Sequence, residues 1–144
     1  MQTVRDLLKK KGSEIHAVGP DTTVYDALRL MAEKNVGAVL VREGERPIGI
    51  LSERDYARQV VLKGKASKDT PVREIMTARV VFVRPEQSIE ECMALMTDKR
   101  IRHLPAIDEG KLIGILSIGD VVKAVISEKQ FRIEQLENYI SSGG

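Results

Sequence analysis

The sequence predicts an α/β fold: two copies of one β-α-β-β-α unit, packed with pseudo-two-fold symmetry and followed by a C-terminal helix. Three observations carry that prediction. They are a repeat at an offset of 65 residues, a switch between helical and strand periodicity inside each copy, and a helical stripe that outlasts the second copy. At that offset Pro20 falls on Pro85, Leu30-Met31 on Leu95-Met96, and Lys34 on Lys99. Further on, Ile48-Gly49-Ile50-Leu51-Ser52 falls on Ile113-Gly114-Ile115-Leu116-Ser117, and Asp55 on Asp120. From residue 18 to 57 no gap is needed and 11 of 40 positions are identical, which chance pairing does not explain. The unit is too long for a solenoid repeat, and only two copies are present.

Each copy follows the same order. A strand is expected over Ile15 to Val18, and again over Val80 to Val83. A helix follows, with Val24, Ala27, Leu28, Met31 and Ala32 on one face of the first copy. In the second copy Ile89, Cys92, Met93 and Met96 take that face. Thr23 with Asp26, and Ser88 with Glu91, have the spacing that caps a helix start. Next come the apolar runs Ala38 to Val41 and Leu104 to Ile107. The turns Glu43-Gly44-Glu45-Arg46 and Asp108-Glu109-Gly110-Lys111 then lead into strands over Ile48 to Leu51 and Ile113 to Leu116. A second helix opens at Ser52 and at Ser117.

The expected organisation is repeat 1 over 1–62, a linker over 63–71, repeat 2 over 72–127, and a C-terminal helix and tail over 128–144. The linker, Lys63-Gly64-Lys65-Ala66-Ser67-Lys68-Asp69-Thr70-Pro71, is polar and basic and reads as a solvated connector. Beyond repeat 2, Val122, Val125, Ile126, Ile133, Leu136 and Ile140 keep helical spacing. That stripe must cover its own module or a partner chain. The reading favours a partner, and a homodimer is the commonest way to satisfy it.

Composition removes several function classes. The chain has 144 residues, 42% hydrophobic and 31% charged, with a formal charge of +2. Acids and bases are interspersed and there is no Trp, which argues against a nucleic-acid face. Cys92 is the single cysteine and His16 and His103 are the two histidines, so neither a disulfide framework nor a zinc-finger spacing is available. The side chain of Cys92 falls on a core face, and an inert thiol is expected there. No apolar run is long enough to span a membrane, and the first residues carry no secretory h-region, so a cytoplasmic protein is expected. No Walker-type loop, metal-ligand cluster or nucleophile-base ordering appears, and no enzyme activity is expected.

The repeat, its element order, Ile48-Gly49-Ile50-Leu51-Ser52-Glu53-Arg54-Asp55 and Arg102-His103-Leu104-Pro105 together resemble a stand-alone tandem cystathionine β-synthase (CBS) domain protein. In that family two such domains form one Bateman module. The resemblance covers roughly residues 4 to 127. It implies a regulatory module that binds AMP, ADP, ATP, NAD(H) or S-adenosylmethionine in clefts between paired domains, commonly as a dimer of modules and without chemistry on the ligand.

The site residues follow by position. Ser52 and Ser117 end a strand and open a helix, where unpaired N–H groups and the helix dipole favour a phosphate. Asp55 and Asp120 lie one turn in, and the resemblance gives them the ribose hydroxyls, with Ser52 and Ser117 beside them. Ser-x-x-Asp at that place is equally a capping box that needs no ligand. Gly119 leaves the second helix entrance open, whereas the first copy places Glu53-Arg54 there. Arg54 is then a phosphate partner or an exposed first-turn side chain. Gly37-Ala38 stands where repeat 2 has Arg102-His103. The resemblance makes the small pair a base pocket and the basic pair a phosphate contact, and Asp120 is expected to work with Gly37 and Ala38. His16, Ile15, Val81 and Phe82 would wall the base or simply pack. Gly49 and Gly114, inside strands, imply the close approach of a backbone or a ligand. The expected function is an adenine-nucleotide or NAD(H) sensor acting on an unidentified downstream protein. The alternative is a dimeric interaction adaptor whose clefts are vestigial.

Overall fold

The structure, a computed structural model, describes residues 2–12 and 14–143, with side chains described as far as Ser141. Met1 and Gly144, the outer limits of the predicted repeat 1 and tail, lie outside the described residues. The chain forms two compact units. One is Glu14–Val81, and the other joins Phe82–Gly144 to the N-terminal segment Met1–Ser13.

In the Glu14–Val81 unit, β1 (Ala17–Val18) pairs in parallel with β2 (Ala38–Glu43), and β2 pairs antiparallel with β3 (Arg46–Ser52). Helix α2 (Val24–Lys34) starts where the Thr23 hydroxyl accepts the Asp26 N–H. It stops at Asn35, whose left-handed backbone (φ 54°) turns the chain away. Val24, Ala27 and Met31 bury their side chains with Val39, Val41, Leu51, Val60, Val72 and Ile75. Ser52 opens α3 (Glu53–Tyr56), which loosens into a π-turn over Ala57–Val61. Gly64, at φ 67°, ends that helix because it accepts a left-handed backbone at little cost. The segment after it is mostly exposed but not free. Tyr25 donates its N–H to the Ser67 carbonyl, and buried Thr70 donates to Ala66.

The second unit repeats this plan with α4 (Ile89–Lys99), β4 (His103–Asp108), β5 (Lys111–Ser117) and α5 (Ile118–Gly143). Ile89, Cys92 and Met96 are buried, as the apolar spacing predicts. Met93 stays half-exposed. Only half of the expected capping box forms on α4. The Ser88 hydroxyl accepts the Glu91 N–H, but the Glu91 carboxylate takes a hydrogen bond from Gln87 instead. The residue equivalent to Gly64 is Lys129, so nothing stops α5, and it runs for 26 residues.

The first strand of each copy is shorter than predicted, being reduced to Ala17–Val18 in one and to a single parallel bridge, Val83 to Ala106, in the other. Proline explains the second case. In the first unit the Leu40 N–H donates to the His16 carbonyl. Its counterpart is Pro105, which has no N–H, so the matching rung at Val81 cannot form.

The compact units group each lead-in segment away from the repeat it precedes. Helix α1 (Val4–Lys11), capped by reciprocal bonds between Thr3 and Asp6, packs on the unit that contains repeat 2. Val4 and Arg5 donate their N–H groups to Gln87 and Pro85, and Arg5 pairs with Glu86 at 3.3 Å. The segment Pro71–Met76 does the same on the other unit. Val72 and Arg73 donate to Thr22 and Pro20, and Arg73 pairs with Asp21. Each lead-in presses one side chain onto a strand glycine. A Cβ on Gly114 would lie 2.6 Å from Leu8 Cδ2, and one on Gly49 would lie 2.6 Å from Met76 Sδ and 3.0 Å from the Thr77 carbonyl. The close approach expected at both glycines is therefore made by the protein's own chain.

Adding that Cβ overpacks the joint, so Gly114→Ala is expected to lower the stability of the ligand-free protein by about 1–3 kcal/mol in urea unfolding. Leu8→Ala should cost less in the Gly114→Ala background than in the wild type, a coupling absent if the glycine serves only a ligand.

The helix mouths as candidate functional site

The two serines and aspartates sit where the spacing places them, at the junction of β3 with α3 and of β5 with α5. Each strand ends on a serine because β2 and β4 hold it in register: Ala38 lies opposite Ser52, and His103 opposite Ser117. The chain before each strand also closes the mouth. Glu53 donates its N–H to the Gly37 carbonyl and Ile118 donates to the Arg102 carbonyl. Backbone register thus brings Gly37, Ala38, Ser52 and Asp55 together in one unit. In the other it gathers Arg102, His103, Ser117, Gly119 and Asp120. Gly37 and Ala38 belong to the Glu14–Val81 unit and Asp120 to the other.

Both aspartates cap their helices. Asp55 Oδ2 accepts the Ser52 N–H at 2.9 Å and the Ser52 hydroxyl at 3.0 Å, while the Ser52 hydroxyl accepts the Asp55 N–H at 3.2 Å. Asp120 Oδ2 accepts the Ser117 N–H at 2.8 Å, and the Ser117 hydroxyl accepts the Asp120 N–H at 3.2 Å. The capping reading therefore holds in both copies. Neither carboxylate is sealed off, since both residues keep intermediate exposure and the Asp120 side chain is 27% exposed.

The lead-in segments complete the two mouths differently. Thr77 donates its hydroxyl to Asp55 Oδ1 at 3.3 Å, so both oxygens of Asp55 carry hydrogen bonds. Lys11, at the last turn of α1, instead reaches Asp120 Oδ2, the oxygen already bonded to Ser117. Burial works against ionisation of Asp120. The Lys11 hydrogen bond, the Ser117 N–H and the ammonium charge outweigh it and hold this carboxyl below the ordinary carboxylate value. Lys11 and Thr77 were not foreseen as site residues. The sequence signals the two lead-in segments but not these side chains: Thr3-Val4-Arg5-Asp6-Leu7-Leu8 matches Pro71-Val72-Arg73-Glu74-Ile75-Met76 at an offset of 68 rather than 65, and the match stops short of Lys11 and Thr77.

The remaining candidates fall into place by burial. Ala38 is buried, with only its backbone edge near the mouth, and Arg54 is half-buried in the first turn of α3. Arg102 is exposed, and it meets the α5 mouth through its carbonyl. Gly119 is exposed. His16 is mostly buried, 3.9 Å from Glu14, and its carbonyl is held by Leu40. Ile15, Val81 and Phe82 are half-buried. Cys92 is fully buried, and desolvation pushes its thiol up to about 11, which leaves it protonated and inert at neutral pH. No group of three or more metal-ligating side chains occurs among the described residues, and no described helix is long and apolar enough to cross a membrane.

The lowered Asp120 value fixes a pH dependence. Its stabilising contribution is complete above the unfolded carboxylate value and is lost as pH falls through the lower folded value. Asp120→Asn should therefore cost about 1–2 kcal/mol at pH 7, the size of a lost helix cap, and the gap to wild type should close as pH drops below 4. Urea titrations of both proteins from pH 7 to pH 3 measure it.

Comparison with known proteins gives one answer throughout. A CBS domain model matches residues 4–62 and 72–127. The mitochondrial CBS domain-containing protein CBSX3 of Arabidopsis thaliana is 43% identical, over 98% of this chain and 73% of its own length. The CBS domain-containing protein YhcV of Bacillus subtilis is 35% identical over 84% of each chain. A solved CBS-domain structure from Burkholderia ambifaria superposes with a TM-score of 0.85 at 56% identity, covering 88% of this chain and 95% of its own. A hexameric CBS-CP12 protein from bloom-forming cyanobacteria gives a TM-score of 0.75 at 26% identity, covering 99% and 89%. With two copies of the domain matched in register with its own internal repeat, this chain belongs to the CBS domain family.

Proposed function

We propose that this chain is a non-catalytic sensor that binds an adenosine-containing ligand, AMP, ADP, ATP or NAD(H), at its helix mouths and passes the bound state to a downstream protein. CBS domain proteins generally serve regulatory roles of this kind. The observation that carries the reading is the state of Asp120. Its hydrogen bonds fall on Oδ2, its side chain is partly exposed, and it stands in the first turn of a 26-residue helix. A carboxylate so placed can accept both hydroxyls of a ribose, since each charged acceptor bond is worth about 1.5–3 kcal/mol. The helix dipole and the Lys11 ammonium supply positive charge for a phosphate beside it. Asp55 is the poorer seat because Ser52 and Thr77 occupy both of its oxygens.

A sensor must bind its ligand more tightly in one state than in another. Lys11 offers a route to that difference. A ligand phosphate competes with Asp120 for its ammonium, and α1 is the element through which Leu8 docks on Gly114. Occupancy at the mouth is thereby coupled to the seating of the N-terminal helix. The alternative of a dimeric interaction protein is favoured by a separate feature, the exposed apolar residues of α5.

Titration calorimetry of the full chain against AMP, ADP, ATP, NAD+, NADH and S-adenosylmethionine is expected to find at least one saturable ligand. Asp120→Asn should weaken it about 10-fold or more, as expected when a charged acceptor of the ribose is lost. Lys11→Met should weaken phosphate-bearing ligands more than adenosine. Absence of binding by every member, or binding unaltered in Asp120→Asn, contradicts the proposal.

A further inference from the structure

Phe131 is one of two phenylalanines in the chain, and it is 60% exposed. Helical rotation sets it on the side of α5 opposite Val122, Ile126, Ile133 and Leu136, so the exposed C-terminal stripe does not account for it. It opens instead toward α1. The two helices pack together within one compact unit and leave a cleft of about 780 Å3 between them. Asp6, Lys9 and Lys10 line this cleft from α1, and Glu128, Phe131 and Arg132 line it from α5. Lys9 and Lys10 are exposed, whereas Lys11 turns to Asp120. Neither Lys9 nor Lys10 makes an ion pair among the described residues, while Arg132 is paired with Glu128 at 2.9 Å. Each carboxylate is half used. Thr3 bonds to Asp6 through Oδ2, and Arg132 bonds to Glu128 through Oε1. Among the described residues, Asp6 Oδ1 and Glu128 Oε2 take no hydrogen bond.

We propose that this cleft receives a short acidic segment of a partner protein. The segment lays an apolar side chain on the Phe131 ring and sets carboxylates against Lys9 and Lys10. Its backbone N–H groups donate to the open oxygens of Asp6 and Glu128. An aromatic anchor inside a polar rim is the arrangement that carries most of the energy in protein contacts. Charge selects the class of occupant. Three cations against two carboxylates favour an acidic segment over a basic one. A nucleic-acid strand or an anionic membrane would bring phosphates against Asp6 and Glu128, where like charges repel. A peptide meets the same carboxylates with N–H donors. Position gives the contact a use, because α1 carries this cleft on one side and Lys11 on the other. The partner would then read the seating of the helix that the Asp120 mouth governs. That coupling rests on the proposed function, whereas the docking itself does not.

Random peptides displayed on phage and panned on the full, nucleotide-free chain test the docking. Selection is expected to enrich sequences in which Asp or Glu flank a Phe, Tyr, Leu or Ile. A synthetic copy of the leading peptide should bind saturably in calorimetry. Phe131→Ser, and Lys9→Glu combined with Lys10→Glu, should each weaken it about tenfold with an unchanged circular dichroism spectrum. Lys9→Arg combined with Lys10→Arg should retain it. No enriched sequence, a basic consensus, or binding unaltered in either loss variant overturns the proposal. Equal binding of oligothymidylate, or of phosphatidylcholine vesicles containing phosphatidylserine, also overturns it, because the cleft would then be a general polyanion surface. No nucleotide is present, so failure here is distinguishable from failure of the adenosine-ligand titrations.

Discussion

Two strand glycines with no room for a side chain organise both units. At Gly114 and Gly49 the sheet lets a lead-in segment come so close that Leu8, or Met76 and the Thr77 carbonyl, occupies the place of a Cβ. Around each contact the same bonds recur: two N–H groups of the lead-in on the loop before the first long helix, and an arginine on an acid of that loop. The exchange is reciprocal. The segment that precedes repeat 1 docks on the unit of repeat 2, and the segment that precedes repeat 2 docks on the unit of repeat 1.

The docking sets the chemistry at the helix mouths. Because α1 lies against Gly114, its last turn carries Lys11 to Asp120. Because Met76 lies against Gly49, the next residue brings a hydroxyl to Asp55. One copy of the duplicated mouth thus acquires a cation and a carboxylate whose bonds fall on one oxygen, while in the other both carboxylate oxygens take hydrogen bonds from uncharged donors. The proposed function places the phosphorylated nucleoside at the first mouth and leaves the second as a fixed joint. In the proposed function, capping and ligand recognition do not compete at Asp120: the cap takes one oxygen and orients the carboxylate, which is the preorganisation a binding site would require.

Much of this was legible in the sequence because it is local. The two long helices, the hairpin turns, both serine caps and the buried faces of Met31 and Met96 follow from spacing and capping over a few residues. Reading failed where a distant partner decides. Val80 to Val83 has strand composition, yet its ladder depends on N–H groups from another segment, and Pro105 removes one of them. The glycines signalled a close approach, but not whether a ligand or the chain itself makes it. Lys11 gave no local sign of a role, since it lies among three consecutive lysines and only the docking of α1 singles it out. The C-terminal stripe was legible as helical. That Val125 lies half-buried beside exposed Ile126 depends on how α5 sits against α4.

The central claim is that the mouth formed by Ser117, Gly119 and Asp120, with Lys11 beside it, is a nucleotide seat as well as a helix cap. Backbone amide NMR of the uniformly 15N-labelled chain during titration with AMP addresses it residue by residue. The account predicts saturable shifts centred on the amides of Ser117 to Asp120 and on the last turn of α1, with smaller changes at Ser52 to Asp55. Shifts confined to other surfaces, or a spectrum unmoved by AMP and by every other adenosine ligand, would contradict it.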